Sequence, residues 1–254
     1  MTLLAQVHSP ETLDPAQLDS YLEQGWFRMG QTIFTTNFLS FKNHLYSAIW
    51  LRINLPHFST DRTWEKLTKL NSGFRTEIQM ASISPVKEAL FERYSNSVPF
   101  EASASLHHLL YGKRAVNIYN TYEINIFDKD NLIATGVFDL GDKSAAGISC
   151  FYDPAYKKYS LGRYLIYLKL EYCKKLGLQH FYPGYFVPGY SFFDYKLSIG
   201  RQALQFLQLD SGQWPPIIAV SEALSPLQTM RDNLLRLKEL LKQSMIETRL
   251  WAYG

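Results

Sequence analysis

Residues 145–185, AAGISCFYDPAYKKYSLGRYLIYLKLEYCKKLGLQHFYPGY, carry one order of elements: strand, turn, helix, strand. AAGISCFYD is rich in strand formers and stops at Asp153-Pro154, a turn pair. In SLGRYLIYLKLEYCKKLG, Leu161, Leu165, Leu168 and Tyr172 recur at helical spacing, and Gly177 follows the last turn as a stop. LQHFYPGY then returns as a strand. Upstream, NIYNTYEINIFD and LIATGVFDLG flank the turn-rich KDN, and Gly141-Asp142-Lys143 leads into AAGISCFYD, so three strands form a meander ahead of the helix.

Outward from that core the signals are shorter. Asp14-Pro15 opens a helix over AQLDSYLEQ that Gly25 closes, with Leu18, Leu22 and Tyr21 on its inner face. WFRMGQTIFTTNF alternates like a strand or hairpin, and YSAIWLRINL places Arg52 among apolar neighbours with period two. Ser84-Pro85 starts a helix through VKEALFERY, a capping hydroxyl followed by proline in the first turn. His107-His108 reads as part of a strand, its two rings on opposite faces, and carries little catalytic weight. Beyond Trp214, Ser225-Pro226 starts a long amphipathic helix with Leu227, Met230, Leu234, Leu237 and Leu241 spaced by three and four. That stripe either caps the protein's own core or meets a second copy in a homodimer.

The chain has 254 residues, 46% hydrophobic and 19% charged, enough for real cores. Its 26 basic and 23 acidic residues leave a net charge of +3, so contact with a polyanion must come from a local patch. Cys150 and Cys173 form no paired metal or redox motif, no signal-type segment opens the chain, and no apolar run approaches the roughly twenty residues that span a bilayer. The expectation is a cytoplasmic protein without membrane contact.

The stretch FYPGYFVPGYSFFDYKLS, residues 181–198, gathers aromatic rings, two Gly-Tyr pairs and Lys196. Glycine inside an element marks a turn or a close backbone approach, so this reads as a shaped loop. Tyrosine faces, exposed backbone and a cation suit a ligand with rings and phosphate; an aromatic surface loop packed on a core is the plainer alternative.

The strand order resembles the GNAT acyltransferase core, in which the segment between the central strand and its helix holds phosphate or the acyl donor on backbone N–H groups. SLGRY keeps only Gly162 of the usual GNAT pyrophosphate pattern. FYDP, SLGRYLIYLKLEYCKKLGL, FYPGYFVPGYSFFDYK and Trp214, with GWFRMG and WLRI upstream, together resemble the aminoacyl-tRNA–protein transferases, the arginyl- and leucyltransferases of the N-degron pathway. The resemblance runs over residues 20–214, and several linked motifs are harder to match by chance than one. It implies an α+β fold: a GNAT-like mixed sheet flanked by helices at residues 101–215, a smaller α+β N-terminal domain at 1–100, and a C-terminal linker and helix at 216–254. Two departures stand out. The family's cysteine motif is replaced by Lys42, Leu45 and Ala48, so no metal is expected, and its basic run is thinned to Arg62, Lys66 and Lys69, which weakens contacts to tRNA phosphate.

The activity this implies is transfer of Arg or Leu from charged tRNA to the α-amino group of an acceptor protein, with acidic N-termini expected and no cofactor besides the aminoacyl-tRNA. Asp139, Lys196 and Tyr185 are the expected catalytic residues: Asp139 as the base at the cleft, or else a turn residue beside Gly141. Tyr152 and Asp153 line the same cleft or form a turn. Ser160 and Gly162 offer a helix N-terminus, or Ser160 is simply the N-cap. Tyr185 and Tyr195 flank the adenosine or the aminoacyl group, Gly184 and Gly189 let the backbone approach, and Lys196 meets phosphate or the acceptor's acidic side chain. Arg28 and Arg52 are candidates for the acceptor's carboxylate, with a surface ion pair as the plain alternative. An acyl-CoA-dependent N-acyltransferase and a non-catalytic binder of acidic N-termini are the competing readings.

Overall fold

The computed structural model of the chain describes residues 5–41, 44–99, 102–209 and 211–217. The elements in order are β1 (Ala5–His8), α1 (Pro15–Glu23), β2 (Phe27–Met29), β3 (Thr32–Thr36), β4 (Phe38–Phe41), β5 (His44–Ser47) and β6 (Ile49–Asn54). They continue with α2 (Arg62–Leu70), β7 (Arg75–Met80), α3 (Pro85–Ser97), α4 (Leu106–Tyr111), β8 (Thr121–Asp128), β9 (Asn131–Leu140) and β10 (Ser144–Tyr152). α5 (Leu161–Lys175), β11 (His180–Phe186) and β12 (Leu204–Phe206) complete the described part. The C-terminal helix expected after Ser225, and with it the homodimer contact, lies outside the described residues.

A seven-stranded mixed sheet dominates, in the order β12-β6-β11-β10-β9-β8-β7. β7 to β10 form an antiparallel run, α5 crosses over, and β11 lies parallel to β10, as the resemblance to the GNAT core implies. The boundary expected near residue 100 does not separate elements in space, because β6 and β7 are strands of this same sheet. β1-β3-β2 make a small sheet and β4-β5 a hairpin.

Alternation along the strands sends side chains to opposite faces, and each face has its own cover. On one, Ile124, Phe138, Leu165, Leu170 and Phe181 form the largest apolar core beneath α5 and α2. On the other, Leu18 and Leu22 of α1 pack with Trp50, Ala146 and Tyr182, while Leu90, Phe91, Leu106 and Leu110 of α3 and α4 pack on Val137 and Phe151. The starts of these helices are cut by side-chain caps: Asp14 with Gln17 as a full capping box, Ser84 for α3, and Ser105 for α4. His107 and His108 therefore lie in a helix rather than the expected strand. No described helix is long and apolar enough to cross a membrane.

Arg28 fastens the small sheet to the large one. From β2 it donates through Nε to Gly30 O at 2.7 Å, through Nη1 to Thr121 Oγ1 at 2.9 Å and Asp139 Oδ1 at 2.7 Å, and through Nη2 to Leu110 O. Its guanidinium also lies over the Tyr119 ring at 4.4 Å. One side chain thus joins β2, α4, β8 and β9. Asp139 has no solvent exposure, and Thr121 Oγ1 donates to its Oδ1 at 2.7 Å. Burial pushes its carboxyl up, against the pull of Arg28 and Thr121. Asp139 is therefore not the cleft-facing base, and Arg28 is not a reader of acceptor carboxylates: each is consumed by the other inside the fold.

Removing one partner of such a pair leaves a buried, uncompensated charge. Asp139→Asn is expected to cost about 3–5 kcal/mol of folding stability, measured by urea denaturation. Lost turnover with unchanged stability would instead restore Asp139 to the active site.

Candidate active site

β10 and β11 stay together only briefly. Their parallel pairing covers Ser144–Ala146 against His180–Tyr182, after which the strands part. Both then change register against their outer neighbours, β10 between Gly147 and Ser149 and β11 between Phe181 and Gly184. Bulges bend and twist a strand, so the sheet opens at this level. Gly147 is required there: a Cβ would come within 2.8 Å of Phe181 Cζ.

The opening holds a cavity of about 140 Å³, room for a few waters or one short side chain. Its walls are largely apolar, with Ile53, Ile148, Ile166, Phe181 and Ile199, and two lysines, Lys169 and Lys196, complete them. No acidic side chain among the described residues lines it.

Each lysine donates to backbone carbonyl oxygen beside the opening. Lys196 lies in the 3-10 turn Ser191–Ser198 and donates to Tyr185 O at 2.8 Å, with its Nζ 5.6 Å from the centre of the Tyr185 ring and 5.1 Å from that of Phe193. Burial holds its amine down to about 7. Lys169, on α5 and only 1% exposed, donates to Val137 O and Ser149 O at 2.8 Å each, and its Nζ is 3.3 Å from Cys150 Sγ. Gly136 leaves the passage for that chain, since a Cβ would come within 2.8 Å of Lys169 Cε.

The other expected site residues divide between this opening and the scaffold. Tyr195 lines the cavity; it is 39% exposed, and burial of its hydroxyl near Cys150 and Tyr94 pushes its pKa up. Tyr185 contributes its carbonyl, while its ring packs edge-on against Trp50 at 5.1 Å. Gly184 has φ +83°, and a Cβ there would stand 3.4 Å from Lys196 Nζ, so the bare backbone keeps the amine's place; Gly189, at φ +80° with open space around it, is a turn residue. LQHFYPGY, expected as a strand, forms β11 through Phe186, and the shaped loop starts after it rather than at Phe181.

Arg52 does not reach the cavity. Its neighbour Ile53 does, and alternate residues of a strand face opposite ways. Arg52 donates to Gln205 Oε1 at 2.7 Å, pairs with Glu23 at 3.1 Å and lies over the Trp214 ring at 4.7 Å. Asp153 is a turn residue: it accepts from Ala155 N at 3.0 Å and pairs with Arg93 at 3.3 Å. Tyr152 lies 5.2 Å from the Tyr94 ring, and its own ring is 3.3 Å from where a Cβ on Gly162 would be. Ser160 precedes α5 in a left-handed conformation, φ 52° and ψ 40°, and its side chain caps nothing.

Lys169 is absent from the sequence-based expectations, although a signal exists. It stands four residues after Leu165 and eight after Leu161, within the apolar stripe of α5, where a lysine must find polar partners.

Residues 86–205 match the family described as "Arginine-tRNA-protein transferase, C terminus". An "Aspartate/glutamate leucyltransferase" of Leptospira interrogans is 30% identical over 193 residues, spanning 74% of this chain and 73% of that protein. A protein of the same name from Campylobacter jejuni is 23% identical over 181 residues, 69% of this chain and 74% of its own. Among solved structures, the ribosomal-protein-S18-alanine N-acetyltransferase of Escherichia coli aligns with a TM-score of 0.30 at 16% identity, over 41% of this chain and 63% of that one. With a parallel β10–β11 pair that opens onto lysines, and with matches of this length on both sides of it, the chain belongs to the aminoacyl-tRNA–protein transferase family and is an enzyme of that transferase class.

Proposed function

We propose that the enzyme transfers leucine from charged tRNA to the α-amino group of proteins that begin with Asp or Glu. The observation that carries the acceptor half is the cavity between β10 and β11, lined by two lysines and no acid among the described residues. A small apolar space with the Lys169 ammonium on its wall favours a short side chain ending in a carboxylate. The same charge disfavours a guanidinium there, and the leucyltransferase names of the relatives supply the donor.

The chemistry needs no group beyond the charged tRNA. The acceptor nitrogen attacks the ester carbonyl carbon, a C–N bond forms, and the C–O bond to the terminal ribose breaks. The amine must first lose the proton it carries as an ammonium of pKa about 8, and the ribose oxygen must gain one on leaving. Lys196 suits both steps: an amine held near 7 takes a proton at neutral pH and returns it. No Glu, Asp or His of the described residues lines the cavity as an alternative base. Tyr195 flanks this amine, and the first turn of α5, with Ser160, Gly162 and the exposed Arg163, suits a phosphate near the 3′ end of the tRNA.

The direct test supplies leucyl-tRNA or arginyl-tRNA carrying labelled amino acid, together with peptides beginning with Asp, Glu or Ala. Label from leucyl-tRNA should enter the acidic peptides; equal labelling of the Ala peptide or exclusive use of arginyl-tRNA would refute the reading. Lys196→Met is expected to lower kcat about 10²–10⁴-fold. In the wild type kcat should rise with pH through about 7 as the Lys196 amine becomes free, and that limb should vanish in the variant. Stability follows the same group: between about 7 and the ordinary 10.5 the unfolded chain holds the extra proton, so folding strengthens as pH rises across that window.

A further inference from the structure

We infer that Lys169 is a specificity-determining residue: its ammonium, on the wall of the cavity that Lys196 also lines, sets the preference for an acceptor whose first side chain carries a carboxylate. The inference rests on the acceptor reading above.

Lys169 is 1% exposed, and among the described residues no carboxylate forms a direct ion pair with it; the buried Asp139, paired with Arg28, acts on it only from a distance. The contrast with the other buried lysine is informative, because Lys87 pairs directly with Glu123 and also donates to Ser82. A buried cation normally has an anionic partner. Lys169 has two carbonyl oxygens, Val137 O and Ser149 O, and then Cys150 Sγ at 3.3 Å. Two carbonyls fix its position without neutralising its charge, and sulfur is a weak acceptor. Cys150 is itself part of the cavity wall and partly exposed. The third hydrogen of the ammonium is thus given to Cys150 Sγ, a weak acceptor on the cavity wall.

A carboxylate beside Cys150 meets that deficiency, either by taking the third hydrogen or through the field of the charge across a wall of low polarity. An isosteric amide gains far less from the same ammonium. Lys169 also holds the β10 bulge through its two carbonyl bonds, so a loss of overall activity in a variant would follow from a structural role as well. The discriminating readout is the ratio of kcat/KM for a peptide beginning with Asp to one beginning with Asn, because misplacing the strand affects both peptides alike.

The experiment measures that ratio with leucyl-tRNA as donor for wild type, Lys169→Met and Cys150→Asp, with folding checked by thermal melting. Cys150→Asp keeps the lysine and the bulge but neutralises the charge in place, which covers the case of a Lys169→Met chain that does not fold. In each folded variant the Asp:Asn ratio is expected to fall about tenfold or more. A wild-type ratio well above one that survives in a folded variant overturns the role of Lys169 and leaves the acceptor reading intact. A wild-type ratio near one overturns the acceptor reading itself, and this inference with it.

Discussion

The brevity of the β10–β11 contact governs the molecule. Three residue pairs join the two strands, and beyond them each must bend away from the other. Parting a ladder removes hydrogen bonds that backbone groups in a protein interior cannot forgo. Lys169 donates at the bulge of β10, and Lys196 donates to Tyr185 O, just past the irregular stretch of β11. An ammonium suits such a gap because it reaches across an element on a flexible stem and brings charge with it. The same bonds that make the opening tolerable therefore make it positive, and scaffold and site share one origin.

The strands and helices were readable because their signals are local. A proline after a capping serine, a period of two or of 3.6, and a KDN turn each report on a few neighbouring residues, and α3, α5 and the meander of β8 to β10 follow from them. The site was less readable because its partnerships are distant. Arg28 and Asp139 stand 111 residues apart, and neither position hints that the two charges cancel inside the fold. Arg52 was placed correctly in a strand, yet which face it took depended on β11 and β12 lying on either side of β6. For Lys196 the local signal lay in the surrounding rings and glycines, and the structure does place its amine beside the Tyr185 and Phe193 rings. Lys169 was passed over although its place in the apolar stripe of α5 marks it as an inward lysine; its carbonyl partners, on β9 and β10, lie far from it in sequence.

Four buried or half-buried cations are treated in different ways, and the difference sorts scaffold from site. Arg28 has a carboxylate, a hydroxyl, two carbonyls and an aromatic face. Lys87 has Glu123 and Ser82. In both, the buried cation has a carboxylate partner, as buried charges in a stable core require, although Asp139 Oδ2 itself accepts no hydrogen bond among the described residues. Lys169 and Lys196 are satisfied by neutral carbonyls, by aromatic faces or by sulfur. The desolvation they suffer is answered only in part, and the depressed amine of Lys196 registers that.

That imbalance is what a binding site for an anionic substrate has to contain. A cavity whose charges were already paired would gain nothing from a ligand carboxylate, because each new contact would replace one equally good. One whose amines lean on dipoles gains the full difference between dipole and charge when a carboxylate arrives. On the proposed acceptor reading, an acidic peptide therefore stabilises the folded protein when it binds. Because Lys169 fixes the bulge that widens the opening and also supplies part of its charge, effects of substitution at Lys169, Cys150 and Gly147 are coupled: they act on one shared set of contacts, and their energies do not add.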